Sequence, residues 1–265
     1  NRAKMGIPIS VIDAFTTEKF RGNPAAVCLL AESAPDAWMQ QVAAELNLSE
    51  TAFLHPIAGG FALRWFTPTV EVKLCGHATL ATAYVLFNKE GYAGNMVTFN
   101  SRSGPLTVTR QGDLLTLNFP TDTIQEVPLS NELTAGFPIK PLKALKGKSD
   151  YMLVFENEKQ IVELKPDLKE VAKVKARGVI VTAKGNEADF VSRFFGPQAG
   201  VDEDPVTGSA HTTLIPYWAG VLKKNKMSAI QRSARGGKLI CELKGDRVDI
   251  SGNGRLFLEG TIFLD

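Results

Sequence analysis

Cysteine is scarce in this chain, and its number is odd. Cys28, Cys75 and Cys241 show no C-x-x-C spacing, so neither a disulfide framework nor a cysteine zinc site is indicated. Histidine is equally sparse, with His55, His77 and His211 alone, which argues against a histidine metal site. Neither sign of charge dominates: 30 basic and 28 acidic residues leave a net +2, so the balance selects no nucleic acid and no membrane surface. Long apolar runs are missing too. The longest, Ala78 to Phe87, falls far short of a bilayer span, and no signal-peptide pattern precedes the first expected strand. A cytoplasmic protein is expected. Asn1 to Lys4, ahead of Met5, read as an added leader and stand outside the fold reading.

What remains is the composition of an ordinary globular protein, 44% hydrophobic and 22% charged over 265 residues. That length suits one large domain or two of roughly 130 residues. The Lys-rich stretch Lys140 to Lys148 has the charge to bind phosphate but lacks the interleaved aromatics of a nucleic-acid face. It reads as a solvated surface between domains.

Two stretches echo each other. One runs Arg64-Trp65-Phe66-Thr67-Pro68, Val72, then Cys75-Gly76-His77-Ala78. The other runs Arg193-Phe194-Phe195-Gly196-Pro197, Val201, then Thr207-Gly208-Ser209-Ala210. The starts lie 129 residues apart (193 − 64) and the ends 132 (207 − 75), so one loop differs by three residues. A period near half the chain indicates two copies of one fold rather than a solenoid. Each copy ends as strand, turn, Gly, helix, and a helix opening after Gly presents backbone N–H groups to an anion. Two such ends meeting at one cleft would hold a small carboxylate-bearing metabolite.

The periodicities support this plan. Ile7 to Phe15 and Ala25 to Leu30 read as strands; Trp38, Met39, Val42 and Leu46 form one face of a helix opening at Asp36. Thr51 to His55 and Phe61 to Phe66 are strands, followed by a helix from His77 to Lys89 and alternating strands to Phe119. Thr121 to Pro141 is the linker candidate. Beyond it, Tyr151 to Glu156 and Ile161 to Glu163 read as strands, and a helix opening at Pro166-Asp167 carries Leu168, Val171 and Val174. Gly178 to Thr182 and Asp189 to Phe195 are strands, and a helix starts at Ser209. Pro216 is expected to kink it by removing the bond to the Thr212 carbonyl. Lys238 to Leu264 reads as a meander. The fold class expected is α+β, two pseudo-symmetric domains, each a curved, mostly antiparallel sheet around a central helix. The division expected is 5–122 and 123–265, with the strand at 255–265 free to belong to either.

Several residues carry chemistry. Glu50, between a helix end and an apolar strand, borders core on both sides, where desolvation favours the protonated carboxyl; a surface Glu at a helix end is the plainer reading. His77 follows Gly76 at a helix start, where a neutral imidazole is expected, as helix-end partner or catalyst. Glu203 and Asp204 precede Pro205 and the Thr207-Gly208-Ser209 helix start, as caps or as site carboxylates. Ser209 has no G-x-S-x-G elbow, which weakens a serine-hydrolase reading. Cys75 would sit at a helix N-terminus, where thiolate is favoured, or be buried and inert. Asn23, in Gly22-Asn23-Pro24, shapes a turn or reaches a substrate.

Asp13-Ala14-Phe15, Gly22-Asn23-Pro24-Ala25-Ala26-Val27, Ser49-Glu50-Thr51-Ala52-Phe53, Cys75-Gly76-His77-Ala78-Thr79 and Glu203 to Ala210 together resemble the PhzF family of phenazine-biosynthesis-like proteins. The resemblance runs from near Met5 to the C-terminal strands. It implies the diaminopimelate-epimerase fold, with the site between two similar domains, and a homodimer. It further implies a cofactor-independent isomerase in which Glu50 is the acid/base and His77, Asp204 and Ser209 are polar site residues. Gly76 and Gly208 would open the carboxylate-binding helices. In the phenazine enzyme the Glu moves a proton between carbons of dihydro-hydroxyanthranilate. True diaminopimelate epimerases carry a cysteine at both helix starts. Here Cys75 fills the first place and Thr207 the second, so two-thiol racemisation is unsupported. An epimerase using Cys75 alone, or a family member that binds a ligand or protein without turnover, are the alternative readings.

Overall fold

Apolar residues that alternate or run in short blocks between Gly and Pro turns build strands first, and the helices cover them. In the computed structural model, which describes residues 6–263, the chain forms two units. One takes in the chain up to Asn118 together with the stretch from Ser251 onward; the other is Phe119–Ile250.

In the first unit β1 (Gly6–Ala14) pairs antiparallel with β2 (Asn23–Leu29), and β2 pairs parallel with β3 (Glu50–Ile57) across helix α1 (Asp36–Leu46). β4 (Gly60–Phe66) returns antiparallel to β3, and the short β5 (Glu71–Val72) folds back on β4. Helix α2 (Gly76–Asn88) follows, then β6 (Met96–Ser101), β7 (Gly104–Gln111) and β8 (Leu114–Pro120). α2 is buried on nearly every side, as a helix apolar all round must be. Ala78, Ala81 and Ala83 keep it slim enough to lie inside the curved sheet. α1 buries Met39 and Ala43 on the other face, against Ile9, Cys28, Phe53 and Phe66.

The second unit repeats the plan. β9 (Gln125–Val127) and the short α3 (Asn131–Thr134) lead to β10 (Lys143–Lys146), antiparallel to both β9 and β11 (Asp150–Val154). Two short helices, α4 (Glu158–Glu163) and α5 (Leu168–Val171), stand where α1 stood. β12 (Gly178–Lys184) then runs parallel to β11 and antiparallel to β13 (Phe190–Gly196). β14 (Val201–Asp204) folds onto β13, and a single 3-10 turn, Gly208–Ala210, runs into α6 (His211–Leu222). β15 (Lys226–Gln231), β16 (Gly237–Lys244) and β17 (Arg247–Gly252) complete it.

The repeat is visible in register. Phe61 of β4 faces Phe99 of the parallel β6, and Phe190 of β13 faces Ala229 of the parallel β15. One element breaks the simple division of the chain. β18 (Gly254–Phe263), which follows β17, pairs along the whole of β1 in the first unit. β9, which follows β8, pairs with β10 in the second. The sequence division at 122/123 therefore moves to 118/119, and the last strand belongs with the first unit because β1 supplies its hydrogen bonds.

Other local expectations change too. Ile161 to Glu163 is helical rather than a strand, because Asn157 accepts the Gln160 N–H and caps α4. The helix opened by Asp167 ends at Val171, short of Val174. The expected linker holds β9 and α3. The Lys-rich stretch holds β10, whose Ala144 and Leu145 are buried. Pro216 lies inside α6, and the Thr212 carbonyl it frees accepts the Asp122 N–H at 3.1 Å. Among the described residues no helix is long and apolar enough to cross a membrane.

Candidate active site

The polar residues singled out by sequence fall into two clusters, one in each unit. In the first, α1 ends on Asn47, which turns the chain through a left-handed conformation (φ 50°). Glu50 is thereby the first residue of β3, opposite Ala25 of β2. Its side chain is 18% exposed, so it is flanked by core yet reachable. Asn23, the first residue of β2, is buried near the same end of the sheet.

Cys75 caps α2 in an extended conformation, and its carbonyl accepts both the Thr79 N–H (3.1 Å) and the Thr79 hydroxyl (2.5 Å). That anchors the Cys75-Gly76-His77 turn. The first N–H groups of α2, from Gly76 onward, have no acceptor within the helix, which suits them to an anion. His77 is buried, and burial pushes its imidazole down to about 3, so it is neutral at physiological pH. Its Nδ1 lies 3.4 Å from Cys75 Sγ, and its Nε2 lies 3.3 Å from Glu50 Oε2 without forming an aligned hydrogen bond.

Glu50, Cys75 and His77 bring their ligand-type atoms within 4.8 Å of one another, a spacing that raises the question of a metal. A tridentate site needs three lone pairs aimed at one point. Here one ring nitrogen of His77 faces the sulfur and the other faces the carboxylate. A metal would draw on one of these nitrogens together with the sulfur and the carboxylate; with one nitrogen turned to each neighbour, the group forms a polar chain from Cys75 through His77 to Glu50.

In the second unit Thr207 occupies the place of Cys75. Its hydroxyl donates to Asp204 Oδ2 at 2.5 Å and accepts from Gln231 Nε2 at 3.1 Å, while its N–H donates to Gln231 Oε1 at 2.8 Å. Gln231, buried on β15, also donates to the Asp204 carbonyl at 2.9 Å and so organises the turn. Asp204 and Glu203 part company. Glu203 is gripped by Arg193 through two hydrogen bonds of 2.8 and 3.0 Å, a structural pair, and Asp204 alone faces Thr207. Adjacent residues on a strand point to opposite faces, so the two acids could not act together.

Gly208 is buried at the turn, and Ser209 Oγ accepts from Arg177 Nη1 at 2.7 Å. Arg177 is held by the buried Asp150 at 2.9 and 2.5 Å. Neither Arg177, Asp150 nor Gln231 was singled out by sequence. His211, also buried, has its imidazole pushed down to about 4 by burial, opposed by its bond to the Thr207 carbonyl. That bond, Nδ1–H to carbonyl at 2.8 Å, is the counterpart of Thr79 on Cys75. The other two cysteines, Cys28 and Cys241, are buried in the cores, where burial raises both thiols, Cys28 to about 12.

The architecture has known relatives. The chain matches the phenazine biosynthesis-like protein family over residues 12–260 and belongs to it. A structure of a PhzF-family phenazine biosynthesis protein from Enterococcus faecalis superposes with a TM-score of 0.96 at 46% identity, covering 98% of this chain and 100% of that one. The fold is thus α+β of the diaminopimelate-epimerase-like type. An uncharacterized isomerase of Halalkalibacterium halodurans is 47% identical over 264 residues, 98% of this chain and 100% of that protein. Another, from Pseudomonas aeruginosa, is 48% identical over 260 residues, again 98% and 100%. By family and by these relatives the chain is an isomerase of the PhzF-like type.

Proposed function

We propose that this isomerase moves a proton between two carbons of a small carboxylate-bearing metabolite, with Glu50 as both acid and base and no cofactor. The observation that carries the reading is the Glu50 carboxylate, partly exposed at the start of β3 and 3.3 Å from the neutral, buried His77. A carboxylate so placed takes a proton from carbon when ionised and, once protonated, returns it at another carbon of the same conjugated system. The first N–H groups of α2, at Gly76 and His77, supply positive potential for the substrate carboxylate or the charge that develops on it. His77 contributes a neutral hydrogen-bonding edge beside Glu50. Asn23 stands near the same end of the sheet as a substrate contact. Asp204, Thr207, Gly208 and Ser209 form the second polar cluster, with Asp204 and Ser209 as substrate-orienting groups.

Epimerisation by paired thiols finds no support, since the position matching Cys75 is Thr207, whose hydroxyl already donates to Asp204.

The test is proton NMR of the purified protein in deuterated water with dihydro-hydroxyanthranilate, alongside Glu50→Gln. Conversion by the wild type and its loss in a folded Glu50→Gln protein are expected. Conversion that survives the substitution would remove Glu50 from the mechanism. A substrate untouched by the wild type would send the search to other unsaturated carboxylates.

A further inference from the structure

We propose that Cys75 is a positioning residue: its thiol donates to His77 Nδ1, fixes the imidazole as the Nε2–H tautomer, and so keeps an N–H beside Glu50. The inference rests on the proposed role of Glu50 as base, which requires its carboxylate to be ionised in the resting protein, and adds a second residue that acts without touching substrate.

A neutral imidazole has one proton for two nitrogens. Burial keeps His77 neutral, and each of its nitrogens has a neighbour, Cys75 Sγ at 3.4 Å from Nδ1 and Glu50 Oε2 at 3.3 Å from Nε2. An ionised carboxylate only accepts, so the proton belongs on Nε2. Nδ1 then offers a lone pair, and the sulfur beside it must bring the hydrogen. The thiol is well placed to do so, because the Cys75 backbone is pinned by Thr79 at two points. The contact between Nε2 and Glu50 is not an aligned hydrogen bond, so Glu50 alone does not hold the ring, and the thiol supplies the missing constraint. A sulfur engaged as a donor is not a thiolate, which places Cys75 outside the role of base.

His211 provides an internal contrast. Its Nδ1 faces the Thr207 carbonyl at 2.8 Å, which can only accept, so the proton sits on Nδ1, and its Nε2 has no hydrogen-bond partner among the described residues. The two buried histidines are therefore opposite tautomers.

The experiment is long-range proton–nitrogen correlation NMR on the resting protein, without substrate, with nitrogen-15 histidine at neutral pH. The three histidines are assigned through His55→Gln and His211→Gln. The expected result is Nε2–H for His77 and Nδ1–H for His211. Cys75→Ser, which keeps a donor, should preserve the His77 pattern. Cys75→Ala should draw its two nitrogen shifts together, the sign of mixed tautomers. Nδ1–H on His77 in the wild type would overturn the proposal. An unmoved pattern in folded Cys75→Ala would overturn it as well. Either failure leaves the Glu50 assignment to its own turnover test.

Discussion

Arg64 holds Glu71 with two parallel hydrogen bonds, Nε to Oε1 at 2.8 Å and Nη2 to Oε2 at 2.7 Å. The same device recurs in the second unit, where Arg193 holds Glu203 by the same atoms at 2.8 and 3.0 Å. Each guanidinium also lies over the phenylalanine two residues on, Phe66 at 5.2 Å and Phe195 at 4.9 Å. Each pair pins the short strand that leads into the Gly turn and its helix. Bidentate pairs of this kind give geometric specificity as well as energy. Glu203→Gln removes one charge from a part-buried pair and should cost about 1–3 kcal/mol, seen as a lower urea midpoint. Glu71→Gln should cost at least as much, since it also releases Arg102, whose Nη1 lies 2.5 Å from Glu71 Oε2. Each arginine keeps a further partner, Asp36 for Arg64 and the Ile161 and Leu164 carbonyls for Arg193. A clearly smaller loss from Glu71→Gln would mean that the Arg102 contact does not matter.

Stability should rise with pH between about 5 and 6.5. His77 and His211 have pKa values of about 3 and about 4 in the folded protein, against 6.5 for the free side chain. The unfolded chain therefore binds protons first as pH falls. Each buried histidine then costs on the order of 1.4 kcal/mol of stability per pH unit, until its folded pKa is reached. Urea midpoints at pH 5 and 7.5 measure the effect, and His211→Gln should remove about half of it, leaving the His77 share. A wild-type protein equally stable at both values would show that these side chains are solvated.

Ser209 is oriented from behind. Arg177 has no acceptor atoms, so the hydroxyl must accept from it and keep its own proton for another partner. Ser209→Ala should lower turnover while leaving the urea midpoint nearly unchanged. Arg177→Met should instead destabilise by about 3–5 kcal/mol, because it strands the buried Asp150. A stable Arg177→Met protein would show that Asp150 is not held as described.

Asp122 compensates for Pro216. Its N–H fills the Thr212 carbonyl that the proline leaves open, and its carboxylate accepts from the Thr213 hydroxyl at 2.8 Å and from the Lys148 N–H at 3.1 Å. Asp122→Ala keeps the first bond and loses the others, stranding the buried Thr213 hydroxyl. A cost of about 1–3 kcal/mol is expected, read from the thermal midpoint. Pro216→Ala should change stability far less, because the carbonyl it would satisfy is already taken.

Much of this was legible before any coordinates, and the reason is locality. The Gly-helix turns and the duplicated Arg-aromatic-Phe-x-Pro starts are patterns within a few residues, and they point directly to Cys75, His77 and Thr207. Glu50 stands out because apolar residues follow it in Thr51-Ala52-Phe53. Gln231, Arg177 and Asp122 leave no such trace. Each reaches its partner across the fold, over a separation of 24 residues from Gln231 to Thr207, 32 from Arg177 to Ser209 and 91 from Asp122 to Thr213. Glu203 and Asp204 were ambiguous for another reason: adjacency in sequence suggests a pair, but a strand turns neighbours to opposite sides. Ile161 misled because two apolar residues cannot tell strand from helix when the cap at Asn157 decides.

The placement of β18 sets an order on biosynthesis. As the chain leaves the ribosome, residues 6–118 can gather most of the first sheet, but β1 keeps an open edge until Gly254–Phe263 has been made. The whole of the second unit is synthesised in the meantime. An unpaired strand edge is a template for the wrong partner, and here it must wait through the synthesis of Phe119–Ile250. The closing of that edge thus waits on the synthesis of the second unit, and a nascent chain halted before Gly254 would carry its first unit unfinished.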